Sequence, residues 1–172
     1  MALNKLKFNS INVTPAASTA IRFNSGANGF ETASAGGSLV KIASTTASSS
    51  ASVSFTSGLT STYKEYIFVF NNIHPGTDAK SLQFNLSADS GSNYNVTKTT
   101  SIFIAGHQES DSDATLTYQS GDDLAQSTAF QDLAAYGDSE SENDSSLAGT
   151  LHLFNPSSTT FVKHFIARTN YM

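Results

Sequence analysis

KSLQFNLS at residues 80–87 sets Leu82, Phe84 and Leu86 alternately with Gln83, Asn85 and Ser87, and LAGTLHLF at 147–154 puts Leu147, Gly149, Leu151 and Leu153 on one parity. Successive side chains of a strand point to opposite faces, so a period of two is rewarded by a sheet with one dry face and one wet face. The second stretch runs into the turn NPSSTT, where Pro156 has no N–H to give to a ladder. FVKHFIAR then returns, with Val162, His164, Ile166 and Arg168 opposing Phe161, Lys163, Phe165 and Ala167. This reads as a closing hairpin.

Outward from these stretches the same period continues. ASVSF carries Val53 and Phe55 on one side, while KEYIFVF and SIFIAG are apolar on both sides, as expected of strands buried between layers. Turn clusters separate them: SGLTST at 57–62, HPGTD at 74–78 and ADSGSN at 88–93. DDLAQSTAFQDLAAYG is the one helix candidate; a short helix and a ragged strand both remain open for residues 124–136, because Ser127 and Thr128 make a poor helix interior. The expected fold is therefore all-β: an antiparallel β-sandwich, jelly-roll-like, over residues 38–172, preceded by an extended N-terminal arm at 1–37. Its expected interior holds Val53, Phe55, Ile67, Val69, Leu82, Phe84, Leu86, Leu151 and Leu153.

The apolar residues are unevenly spread, and this locates the boundaries. Of 38 Ile, Leu, Val and Phe in 172 residues, eight lie in 1–37, eighteen in 38–106, four in 107–146 and eight in 147–172. Too few fall in 107–146 to bury that segment, which also holds ten carboxylates and no Lys or Arg; it reads as an acidic polar excursion at the surface. In the arm, Leu6, Phe8, Ile11, Val13, Ile21 and Phe23 alternate with polar residues, but Gly26, Gly29, Gly36 and Gly37 interrupt any long strand. These six are the expected partner anchors, through strand addition to a neighbouring subunit.

Composition excludes several functions. A net charge of -5 argues against a general nucleic-acid binder. The absence of cysteine removes disulfide frameworks, zinc fingers, iron–sulfur sites and thiol nucleophiles. The opening MALNKLKFNSINV has no apolar run of signal-peptide length, and 66–70 and 102–105 fall far short of the ~20 residues of a bilayer span. The expectation is a soluble protein with no membrane insertion and no cofactor.

Clustered carboxylates are the right chemistry for calcium, which takes six to eight hard oxygen ligands. Asp111, Asp113, Asp138 and Glu140 are the candidates, but the spacing of an EF-hand loop is missing and a solvated, self-repelling loop is favoured. His74, His107, His152 and His164 show no HExxH or HxH spacing; His152 and His164 sit on the two arms of the closing hairpin, where they can pair. There is no GxSxG elbow among 28 serines, and Ser38/Lys41 and Ser61/Lys64 lack the partners that give a Ser-x-x-Lys pair meaning. Phosphate loops are absent from the sequence. Tyr63, Tyr94, Tyr118 and Tyr136 fall beside turns, where exposed rings can stack on a sugar, so a host-surface glycan is a further expected partner. No catalytic residue is assigned.

ANGFETASAGGSLVKI, SVSFTSGLTSTYKEYIFVFNNIHPGTD, LQFNLSADSGSNYN and LAGTLHLFNPSSTTFVKHF, in that order, resemble a family of tailed-bacteriophage virion structural proteins found in phages of marine bacteria, cyanophages included. The resemblance covers most of residues 27–168. It implies a non-enzymatic, β-rich module on the virion surface, made in the host cytoplasm and bound to other virion proteins through the arm. Tail fibre or head fibre is the first placement, capsid decoration the second, and a free carbohydrate-binding module the reading outside the family. It also points to a homotrimer, three copies being common among such surface fibres. Relatives continue with further strands after the PSSTT hairpin, whereas this chain stops at Met172, so closure of the sandwich by a neighbouring copy is expected.

Overall fold

The LAGTLHLF alternation becomes the central strand of a three-stranded antiparallel sheet. The computed structural model describes residues 19–34, 39–134, 141 and 145–171. Among these the chain is all-β, with no helix: β1 (Thr19–Phe23), β2 (Phe30–Ser34), β3 (Glu65–Ile73), β4 (Gln83–Phe84), β5 (Phe103–His107), β6 (Ala114–Tyr118), β7 (Gln131–Asp132), β8 (Leu147–Phe154) and β9 (His164–Tyr171). The sheets are β1-β2, β3-β8-β9, β4-β7 and β5-β6, every pair antiparallel. The chain divides into two compact units, Met1–Ser44 and Thr45–Met172.

Leu147, Leu151 and Leu153 of β8 are buried, as their parity requires. Register fixes their neighbours: Tyr66 and Phe165 flank Leu153, and Phe68 and Ala167 flank Leu151. Over this inner face lies the short β4-β7 ladder with its flanks. Leu82, Phe84, Leu86 and Leu133 pack against Leu151 and Leu153, and the Phe84 and Phe165 rings meet edge to face at 4.9 Å. The Leu133 amide donates to Leu82 O at 2.8 Å, and the Thr169 hydroxyl donates to Leu133 O, so hydrogen bonds also join the two layers. At Gly149 the backbone of β9 comes so close that a Cβ would sit 2.8 Å from Thr169 Cα and also against Arg168 O. A strand register shift between Phe70 and Ile73 is accommodated by Asn72 at φ 52°, a left-handed conformation Asn tolerates.

Several expectations are corrected. β3 is an edge strand rather than a central one, and its inner face carries Tyr66, Phe68 and Phe70; Ile67 and Val69 point outward, Val69 being 72% exposed. The reason is the Tyr66 hydroxyl, which finds partners while its ring is buried: it donates to Thr60 O at 2.8 Å and accepts from Thr60 N at 2.9 Å. Val53 and Phe55 lie in no strand and remain exposed, although the Phe55 ring still meets that of Phe68 edge to face. The hairpin turn is longer than NPSSTT. Ser158 Oγ accepts from Thr160 N and Phe161 N, so Phe161, Val162 and Lys163 belong to the turn and β9 starts at His164. The run SIFIAG is not buried on both faces: among the described residues β5 pairs with β6 alone, and Phe103 is exposed. Within 124–134 the chain is loop and short strand; Ala135 and Tyr136 lie outside the described residues.

Residues 19–34 form a hairpin of their own. Asn24 accepts from Ala27 N with its carbonyl and from Asn28 N with its side chain, and its amide donates to Gly29 O, which closes the turn. Arg22 Nε meets Glu31 Oε1 at 2.9 Å across the ladder, and the rings of the register partners Phe23 and Phe30 stack at 4.9 Å.

Candidate interaction surface

Partner anchoring is the site the sequence singles out, and the structure describes two of its six residues. Ile21 and Phe23 occupy one face of β1, opposite Thr32 and Phe30 of β2. Their side chains, with that of Phe30, are exposed, Phe23 by 65%. A stacked aromatic pair in that position is the kind of side chain that dominates protein interfaces, because each ring brings a large apolar area at little rotamer cost. Leu6, Phe8, Ile11 and Val13 lie outside the described residues.

A second exposed apolar face belongs to the β5-β6 hairpin. Phe103 pairs with Tyr118 and Ala105 with Leu116, so all four share a face, and the Phe103 and Tyr118 rings are 5.3 Å apart. The connecting turn is acidic. Gln108 N donates to Asp113 O and Asp111 N to Gln108 O, each at 3.0 Å, with Asp111 at φ 57°. At the other end of the hairpin, the Tyr118 hydroxyl donates to the Asp123 carboxylate, and that bond pushes the phenol up from its ordinary range.

Of the calcium candidates, Asp111 and Asp113 sit in this turn, and the Asp111 carboxylate lies 3.1 Å from His107 Nε2. Asp138 and Glu140 lie outside the described residues. Among the described residues no group of three or more His, Asp or Glu side chains is placed to hold a metal ion. Three of the histidines have side-chain partners, His107 being the one beside Asp111. His74 meets Asn72 at 3.2 Å, and His152 Nδ1 lies 2.6 Å from Glu65 Oε1 on β3. His152 therefore does not pair with His164, which is the register partner of Phe154. Of the turn tyrosines, Tyr63 packs edge to face on Tyr66, and the Tyr94 carbonyl accepts from Asn85.

The acidic excursion is tied to the core by groups that sequence reading missed. Lys98 is buried, and its Nζ donates to Asn85 Oδ1 at 2.5 Å and to Val96 O at 2.9 Å; burial pushes the ammonium below its ordinary pKa. Asn85 Nδ2 in turn donates to Tyr94 O and Thr128 O. Alongside, Lys98 and Ser127 exchange backbone bonds at 2.8 and 2.9 Å. The Thr100 hydroxyl donates to Gln131, and buried Gln131 Nε2 donates to Asp122 O and Asp132 O. Every polar group named here is satisfied by neutral protein oxygens or amides, which makes the network a clamp. The sequence signal is Asn85, which sits on the polar parity of KSLQFNLS, the face expected to be wet.

One further carboxylate is held by its turn. Asp89 accepts from Ser87 Oγ at 2.6 Å, Asn93 Nδ2 at 2.6 Å and Asn93 N at 2.8 Å, and these bonds lower its pKa to about 2. In the comparisons with known proteins, no family model, no curated protein and no solved structure matches this chain.

Proposed function

We propose that this chain is a non-enzymatic structural subunit of a tailed-phage virion, a homotrimer in a host-attachment appendage of the tail-fibre or head-fibre type. The observation that carries the reading is the β1-β2 hairpin: its Phe23–Phe30 stack is exposed, which suits a segment that anchors one subunit to another. The family resemblance, over most of residues 27–168, supplies the particle. An all-β fold and a surface rich in Ser and Thr fit a component displayed outside a particle.

Particle proteomics tests this reading. Gradient-purified virions are expected to contain the chain, with labelled antibody density confined to the appendage. Density at every capsid three-fold would move the protein to head decoration. Absence from purified particles would defeat both placements and leave a free carbohydrate-binding module.

A further inference from the structure

We propose that Asn28 is a self-modifying site: its side-chain amide is lost to attack by the Gly29 backbone nitrogen, and the isoaspartate that results loosens the β1-β2 hairpin as the protein ages. Of the thirteen asparagines in the chain, Asn28 alone precedes a glycine. A backbone nitrogen whose own Cα bears no side chain is the least shielded nucleophile the chain offers. The fold leaves that nitrogen accessible. Asn28 is exposed in the turn of the hairpin, outside the ladder, whose last pair is Phe23 with Phe30. Among the described residues the Gly29 N–H donates to no backbone acceptor. Asn24 Nδ2 donates to Asn28 Oδ1 at 2.9 Å, which draws electron density from the carbon to be attacked. A Cβ on residue 29 would lie 3.3 Å from that same Asn24 Nδ2, so the tight turn that favours glycine here also bares the nitrogen.

The step needs only water and hydroxide. Hydroxide takes the Gly29 amide proton, the nitrogen forms a bond to Asn28 Cγ, and the Cγ–Nδ2 bond breaks. Nδ2 takes a proton from water and leaves as ammonia, which returns the hydroxide. Water then opens the cyclic imide at either carbonyl. One opening gives aspartate on the original backbone. The other gives isoaspartate, whose backbone runs through the former side chain and is one methylene longer. Residues 19–34 hold one cation, Arg22, and one carboxylate, Glu31, so either product turns a neutral hairpin singly negative.

Isoaspartate does more. Asn24 grips the chain on both sides of the altered bond: its side chain accepts from Asn28 N at 3.1 Å, and its backbone N–H donates to Gly29 O at 3.0 Å. A methylene inserted between those two groups cannot leave both bonds in place. Phe30 follows directly, and its stack with Phe23 is the ladder pair next to the turn. A two-stranded ribbon has little reserve against such a change. The hairpin that carries the assembly reading thus has its own clock, and the chemistry stands without that reading.

The full chain is aged in mildly alkaline buffer and sampled by peptide mapping. Conversion is expected at Asn28, faster as pH rises, while Asn24, in the same turn but followed by Ser25, reacts several-fold more slowly. Gly29→Ala asks only a small shift of the flexible Asn24 amide and is expected to slow conversion at Asn28 several-fold. Trypsin cleavage after Arg22, within β1, reports opening of the hairpin. It is expected to be several-fold faster in the isoaspartyl chain than in fresh protein or in Asn28→Asp, which has the charge without the methylene. An Asn28 that stays intact, an Asn24 that converts as fast, or undiminished conversion in Gly29→Ala would each overturn the proposal. So would equal trypsin rates for the isoaspartyl and Asn28→Asp chains. Because every readout is taken on purified protein, its failure leaves the particle assignment standing, and absence from particles leaves these results intact.

Discussion

Lys98 Nζ donates to Asn85 Oδ1 at 2.5 Å, and among the described residues no carboxylate forms an ion pair with this buried ammonium. A charge held by neutral oxygens depends on each of them. Asn85→Ala leaves the ammonium with Val96 O alone and frees the Tyr94 and Thr128 carbonyls, an expected loss of about 2–3 kcal/mol. Lys98→Met removes the charge at similar volume and is expected to cost less, about 1 kcal/mol, because only neutral acceptors are left. Urea denaturation of both variants checks the order; a Lys98→Met cost equal to or above that of Asn85→Ala would refute it.

Gly149 is a packing requirement of the β8-β9 ladder. Gly149→Ala drives a methyl into backbone atoms of β9, which cannot move aside as a flexible side-chain end would. The expected cost is about 1–3 kcal/mol, seen as a lower urea midpoint with an unchanged slope.

Parity on β3 and β8 separates core from surface by a single position. Leu153→Ala is expected to cost about 2–5 kcal/mol, since Leu153 is fully buried between the layers. Val69→Thr, on the outward face, is expected to change stability by no more than about 0.5 kcal/mol. Thermal unfolding of the pair tests the face assignment.

Asp89 gives a signed pH dependence. Its folded pKa, about 2, is below the ordinary carboxylate value of 3.8, so the native state binds the proton less readily than the unfolded chain. The stabilisation is therefore full above about pH 4 and is lost as pH falls toward 2. Urea midpoints of wild type and Asp89→Asn are expected to converge over that window. A constant difference would show that the carboxylate is not the titrating group.

What the sequence disclosed depended on whether one parity was polar. LAGTLHLF keeps all three of its leucines on one parity, and the burial of Leu147, Leu151 and Leu153 follows from it. KEYIFVF is apolar on both, so alternation could not rank Ile67 and Val69 against Tyr66, Phe68 and Phe70; the decision lay with the Tyr66 hydroxyl and Thr60. Lys98 was invisible for a different reason. Its partner Asn85 is thirteen residues away, and the segment that completes the clamp, around Ser127, is about thirty further on. Ile21 and Phe23 were legible as an apolar alternation, but the face that Thr32 and Phe30 share with them follows from a turn that only Asn24 and its partners define.

The β3-β8 pairing also sets a schedule for biosynthesis. β9 can find β8 across one turn, but β3 must wait for a partner about 80 residues downstream, after the whole acidic excursion has been made. At translation rates of about 5–20 residues per second, the apolar inner face of β3 is without that partner for roughly 4–16 s. Closing a loop of that span before the sheet forms makes refolding slow relative to proteins rich in local contacts. The low apolar content of residues 107–146 then acquires a kinetic meaning, because a segment with little to bury offers nascent β3 few wrong partners while the right one is still being synthesised.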